Sequence, residues 1–205
     1  MNSSTQRLTV EGPAGAIECA LDLPADGAPA RGVAVLCHPH PLHGGTLDNK
    51  VVQTLARACV AQGWRTLRFN FRGVGASQGR WDEGQGEVDD ALAVISAQRQ
   101  PGEALLLGGF SFGGYVAASC NRRLGTADAA SRLLLVAPAV VNFDVGTVPA
   151  DTFVVHGEHD DVVPLSAALD WARPQFLPVT VMPGVGHFFH GQLPVLKNLL
   201  TSALR

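Results

Sequence analysis

A chain of 205 residues, 46% of them hydrophobic and 16% charged, has apolar material for one substantial core, which excludes a disordered or highly charged scaffold. Its 15 basic and 18 acidic residues leave a net charge of -3 with neither sign in a long run, so neither nucleic acid nor a membrane surface is expected as a partner. The polar start over residues 1–7 lacks the apolar core of a signal peptide, and no run approaches the ~18–20 apolar residues that cross a bilayer.

Taken in order, residues near 8–10 and 17–23 read as two strands joined too closely for a crossover, hence an antiparallel hairpin. A polar Pro/Gly loop over residues 24–30 follows, then the short apolar run 32–37, as expected of a strand covered on both faces. Residues 48–62 place Val52, Leu55 and Cys59 on one helical face, and Gly63 ends that helix. Residues 64–71 read as a strand. Val88, Leu92 and Ile95 then form a helical stripe, with Glu87, Asp89 and Asp90 expected in its first turn, where the helix dipole favours acids. Strands are expected at 104–107, 133–136, 152–155 and 178–182, and helices at 112–123, 164–172 and 187–204. This alternation predicts one α/β domain over residues 1–205: a mostly parallel sheet of about eight strands with helices on both faces.

Gly109-Phe110-Ser111-Phe112-Gly113, with Gly114 behind it, sits between an apolar strand and a helix. A nucleophile on a sharp strand-to-helix turn takes strained dihedrals, and side chains two residues to either side would collide with neighbouring backbone. The turn exposes the hydroxyl above a helix N-terminus, whose free amides stabilise negative charge. A serine needs a base, and Gly184-Val185-Gly186-His187 places one in a glycine-rich loop beyond the last strand, with His190 expected one turn into the closing helix as a surface or supporting residue. The imidazole in turn needs a carboxylate on its other nitrogen. The loop His156-Gly157-Glu158-His159-Asp160-Asp161-Val162-Val163-Pro164 offers three, with Asp160 preferred, then Asp161, then Glu158.

Acyl transfer also needs two amide donors for the developing oxyanion. The N–H of Phe112 is one. In Cys37-His38-Pro39-His40-Pro41-Leu42-His43-Gly44-Gly45 the prolines have no N–H, so His40 is the natural second donor and Leu42 the next. His38, His40 and His43 also raise a metal site, but X-Pro segments are extended and turn successive side chains apart, and no Cys or acidic ligand completes a set. No metal is expected, and His38 reads as a structural histidine bonded to backbone. Cys19, Cys37, Cys59 and Cys120 form no C-x-x-C pair and read as free thiols of a reducing compartment, the cytoplasm.

Together with Asp48-Asn49-Lys50 and Phe69-Asn70-Phe71-Arg72-Gly73-Val74-Gly75-Ala76-Ser77, these motifs resemble the α/β-hydrolase superfamily over nearly the whole chain. The chain looks most like its small, cap-less branch, dienelactone-hydrolase-like or carboxylesterase-like. The resemblance implies the chain order Ser111, Asp160, His187 for the catalytic set, the amides of His40 and Phe112 for the oxyanion hole, and Arg72-Gly73 for the floor of the site. Dienelactone hydrolases use a cysteine where Ser111 stands, which favours plain ester cleavage. Only 13 residues, 139–151, join two strands where larger relatives carry a cap, so an open site is expected, with Leu42, Phe110, Phe112, Val140, Phe143 and Phe188 as wall residues, each of them equally readable as core. The expected activity is cofactor-free hydrolysis of small-molecule, short- to medium-chain carboxylic esters through an acyl-enzyme, by a monomer or homodimer. The alternatives are a thioesterase or peptidase with the same residues, or a binding protein on this fold.

Overall fold

The computed structural model describes residues 5–24 and 29–205, so residues 1–4 of the polar start and 25–28 of the Pro/Gly loop lie outside the described residues. Eight strands form one sheet in the order β1-β2-β4-β3-β5-β6-β7-β8. They are β1 (Gln6–Gly12), β2 (Gly15–Asp22), β3 (Val33–Cys37), β4 (Arg65–Phe69), β5 (Leu105–Phe110), β6 (Arg132–Val136), β7 (Phe153–Gly157) and β8 (Val179–Met182). β1 and β2 form the expected hairpin, β2 is also antiparallel to β4, and every other pairing is parallel. Among the described residues five α-helices are interleaved: α1 (Lys50–Ala61), α2 (Gln85–Gln98), α3 (Phe112–Asp128), α4 (Leu165–Ala172) and α5 (Leu193–Ala203).

Strand periodicity divides the core in two. Val33, Val35, Cys37, Leu105 and Leu107 face α2 and α3, while Ala34, Leu36, Leu106, Phe110 and Val136 face α1 and α5. β3 and β5 are buried at every position, which is why both read as continuous apolar runs rather than alternating ones. In-register pairing sets Cys37 beside Gly109 and Phe110 beside Val136, so the carboxyl ends of β3, β5 and β6 reach the same edge. Brought there together, their following loops can build one site.

The structure differs from the periodic reading in several places. β5 runs on to Phe110, because Gly108 and Gly109 pair with Leu36 and Cys37 instead of opening a turn. α2 carries only Glu87 in its first turn; Asp90 lies in the second and pairs with Arg72. α3 continues to Asp128, past a non-helical Gly125. The closing helix begins at Leu193, not His187, because Phe189 and Gly191 take φ of 53° and 73° and break the helical path. His190 therefore sits in an exposed turn rather than on a helix. Residues 137–152, between β6 and β7, carry no helix, as expected of a chain with no cap there. No helix among the described residues is long and apolar enough to cross a membrane.

Candidate active site

Ser111 follows β5 directly, with φ 56° and ψ -118°, and serves as the N-cap of α3. Such a backbone costs about 1–3 kcal/mol in a non-glycine residue, so the surroundings must hold it. They do: Ser111 N–H donates to Val136 O at 2.9 Å, and its carbonyl accepts from Gly114 and Ala139 at 2.9 and 3.2 Å. The flanking glycines are required by space. A Cβ on Gly109 would lie 2.0 Å from Gly113 O, and one on Gly113 would lie 2.2 Å from Cys37 O.

His187 is delivered by a loop whose packing is equally tight. His159 N–H donates to Val185 O at 2.9 Å, Gly184 N–H to the Glu158 carboxylate at 2.8 Å, and a Cβ on Gly157 would come within 2.3 Å of Val185 O. Fully buried Phe189 anchors the far side of the loop. The ring thus held has Nε2 3.0 Å from Ser111 Oγ and Nδ1 2.7 Å from Asp160 Oδ2. Since a carboxylate only accepts, Nδ1 carries the hydrogen and Nε2 is free to take the serine proton.

Asp160 is the carboxylate that meets the imidazole, and its side chain is fully buried. Its Oδ1 accepts from Val162 and Val163 N–H at 3.0 and 2.7 Å, which turns the side chain back over its own loop. Burial alone would raise this carboxyl; the hydrogen bond from His187, the Val163 N–H and the neighbouring imidazoles outweigh it and hold the group below the usual carboxylate range. Asp161 points to solvent, and Glu158 is tied to Gly184.

In the loop after β3, the His40 carbonyl accepts from both His43 and Gly45 at 3.1 Å, and Leu42 N–H is taken by His40 Nδ1 at 3.3 Å. The His40 and Phe112 amides, in contrast, donate to no acceptor among the described residues. The expected structural role of His38 is seen directly: Nδ1 donates to Pro39 O at 2.7 Å and Nε2 accepts from Phe71 N–H at 3.1 Å, with the side chain buried. Extended X-Pro geometry does not turn every ring apart, however. The short helical turn at Pro41–His43 stacks the His40 and His43 rings 4.5 Å apart.

The proposed walls divide. Leu42 and Phe188 are 65% and 47% exposed, and Phe188 borders a cleft of about 460 Å³ on the outer side of His187. Phe143 is half-buried, its ring 4.9 Å from Phe112 and 6.1 Å from His40. Phe110 is not a wall: it is fully buried on the α1–α5 side, where it backs the His187 ring at 4.9 Å. Strand alternation turns it inward, so of its two readings, wall or core, the core one holds. The Phe112 side chain is likewise core.

Sequence reasoning missed Trp81 and Tyr115. Trp81 packs 4.5 Å from His40, and Tyr115 stacks on Phe143 at 4.9 Å. The loop carrying Trp81 is pinned by buried Glu87, which accepts from Asp82 and Gly84 N–H at 3.0 and 2.8 Å. Nothing periodic marks Trp81, whereas Glu87 three residues after Gly84 is a capping-box spacing. Arg72 lies on the same side, its guanidinium engaged by Asp90 at 2.7 and 2.9 Å.

A serine on a strand–turn–helix elbow, at the carboxyl edge of a mostly parallel eight-stranded sheet, defines the class of α/β serine hydrolases. More narrowly, the chain belongs to the family described as serine aminopeptidase, S33, which matches residues 28–145. It is similar to an α/β serine hydrolase without lid from Xanthomonas campestris, with 38% identity, TM-score 0.90 and coverage of 100% of this chain and 95% of that one. An α/β serine hydrolase homologue from Coxiella burnetii is 39% identical with TM-score 0.86, over 98% of this chain and 97% of that one. An uncharacterised protein of Rickettsia prowazekii is 35% identical over 145 residues, 66% of this chain and 60% of that protein, so the chain spans about 60% of the length of that relative.

Proposed function

We propose that this hydrolase cleaves short- to medium-chain carboxylic esters through an acyl-enzyme on Ser111. The observation that carries the reading is the unbroken hydrogen-bonded line from Ser111 Oγ through both nitrogens of His187 to Asp160. Ser111 Oγ attacks the ester carbonyl while His187 Nε2 takes its proton, and Asp160 stabilises the imidazolium. The oxyanion is held by the amides of His40 and Phe112 at the head of α3. His187 returns the proton to the leaving alcohol; water then attacks the acyl-enzyme by the same route and releases the acid. No cofactor enters. Four free, buried cysteines support a reducing, cytoplasmic setting.

The family description keeps peptide cleavage as the second reading. Hydrolysis of p-nitrophenyl esters across acyl lengths, by the parent and by Ser111→Ala and His187→Ala, tests the proposal. The parent is expected to turn over and both variants to fall by roughly a thousandfold or more. Parental rates in Ser111→Ala would overturn it. Higher kcat/KM on a matched amide than on the ester or thioester would move the assignment to the peptidase.

A further inference from the structure

His156, next to last in β7, is fully buried beneath the carboxylate of Asp160. Its Nε2 lies 2.8 Å from Val163 O and 3.3 Å from Asp160 Oδ2. Both neighbours only accept, so Nε2 carries the hydrogen and Nδ1 is bare. Nδ1 is one of the few buried polar side-chain atoms with no partner among the described residues. A proton there would be buried without an acceptor, so the ring stays neutral; burial, foremost among the influences on it, also pushes its pKa down.

An orphaned ring nitrogen in a core is a cost that an aliphatic side chain of similar volume would avoid. What the aliphatic residue cannot supply is the Nε2–H. That N–H, its nitrogen 3.3 Å from Asp160 Oδ2, binds the Val163 carbonyl, while the hydrogen bonds to the carboxylate come from Val162 and Val163 N–H on Oδ1 and from His187 on Oδ2. Without it, the carboxylate is free to pivot about its two Oδ1 bonds, and the charge on Oδ2 is met by His187 alone.

We propose that His156 is a positioning residue for hydrolysis: its Nε2–H, bonded to the Val163 carbonyl and close to Oδ2 of Asp160, holds the turn that carries the carboxylate so that His187 stays aligned with Ser111. The proposal rests on the reading of Ser111, His187 and Asp160 as the reacting set. The titratable groups that act on His156 are Asp160 and His187. Removing the N–H that faces Oδ2 leaves the Asp160 charge to its contact with His187 alone, so the acid limb of kcat/KM moves upward.

The test uses the full chain with His156→Leu, His156→Gln and Ser111→Ala on p-nitrophenyl butyrate across pH, with rates per active site counted by a fluorophosphonate label. His156→Leu is expected to lose roughly 10- to 100-fold in kcat, as the buried bond that holds the Asp160 turn is lost, with KM little changed and the acid limb displaced to higher pH. His156→Gln, whose side-chain amide reaches the Nε2 position, is expected to recover most of the rate and restore the limb. If His156→Leu yields no folded protein, His156→Met takes its place. A parental kcat and limb in the apolar variant would overturn the proposal. So would a lower rate per site with the limb unmoved and no recovery in His156→Gln, since a merely structural histidine behaves that way. Parental activity in Ser111→Ala would instead locate the failure in the underlying esterase reading.

Discussion

Acidification tests the wiring of the loop that carries His40. His38 sits at the end of β3, buried, with one ring nitrogen donating to Pro39 O and the other accepting from Phe71 N–H. Burial pushes its pKa down to about 4, against a smaller opposing pull from the Pro39 carbonyl. In the unfolded chain the imidazole titrates near its ordinary value of about 6.5. The folded pKa is the lower of the two, so the unfolded state takes up the proton first. The contribution to stability is therefore complete above about pH 6.5 and is lost as pH falls toward about 4. At about 1.4 kcal/mol per pH unit that gap amounts to about 3 kcal/mol, of which about 2 kcal/mol is gone by pH 5. Urea unfolding of the parent and of His38→Gln between pH 7 and 4.5 isolates this group, because the glutamine keeps an acceptor for Phe71 N–H and cannot gain a proton in this range. The parent should lose stability faster than the variant by nearly 2 kcal/mol between pH 7 and 5. Parallel curves would refute the reasoning.

Three further outcomes are expected. Asp160→Asn should lower kcat by roughly three to four orders of magnitude by presenting the wrong partner to His187 Nδ1, while exposed Asp161→Asn keeps the parental rate; steady-state kinetics on one ester decides between the two carboxylates. Gly113→Ala should cost about 2–4 kcal/mol, because the new Cβ meets the Cys37 carbonyl at 2.2 Å, whereas Gly102→Ala, at φ +75° in open space, should cost only about 1–2 kcal/mol; equal losses in urea unfolding would contradict the packing argument. Arg72→Met leaves the Asp90 carboxylate, 1% exposed, without its counter-charge and with only the residue-72 N–H as donor, and should destabilise by about 3–5 kcal/mol, with Arg72→Met/Asp90→Leu recovering much of the loss in the same measurement.

The β/α alternation, the two-sided burial of β3 and β5 and the elbow at Ser111 were all readable along the chain, because each is written in residues a few positions apart. An apolar run between turn signals specifies a doubly covered strand whatever lies beside it. A serine between spaced glycines after such a strand already implies tight backbone crossing, and the 2.0 and 2.2 Å approaches at Gly109 and Gly113 are its realisation. Tertiary structure decided the rest. Asp160 and Asp161 are identical in chemistry and adjacent in sequence, and only the turn made by Val162 and Val163 N–H aims the first at His187 and leaves the second in solvent. Phe110, expected as a wall, is core because strand alternation sets which face of the sheet it meets, and Trp81, unmarked in the sequence, reaches His40 only through the fold of its loop. A histidine inside the apolar run of β7 was a visible signal, yet what lies over its ring is fixed by the loop that returns across the strand end. Short-range pattern encodes which backbone forms; which side chains then meet depends on contacts between segments tens of residues apart, and those are set by the packing of the whole sheet.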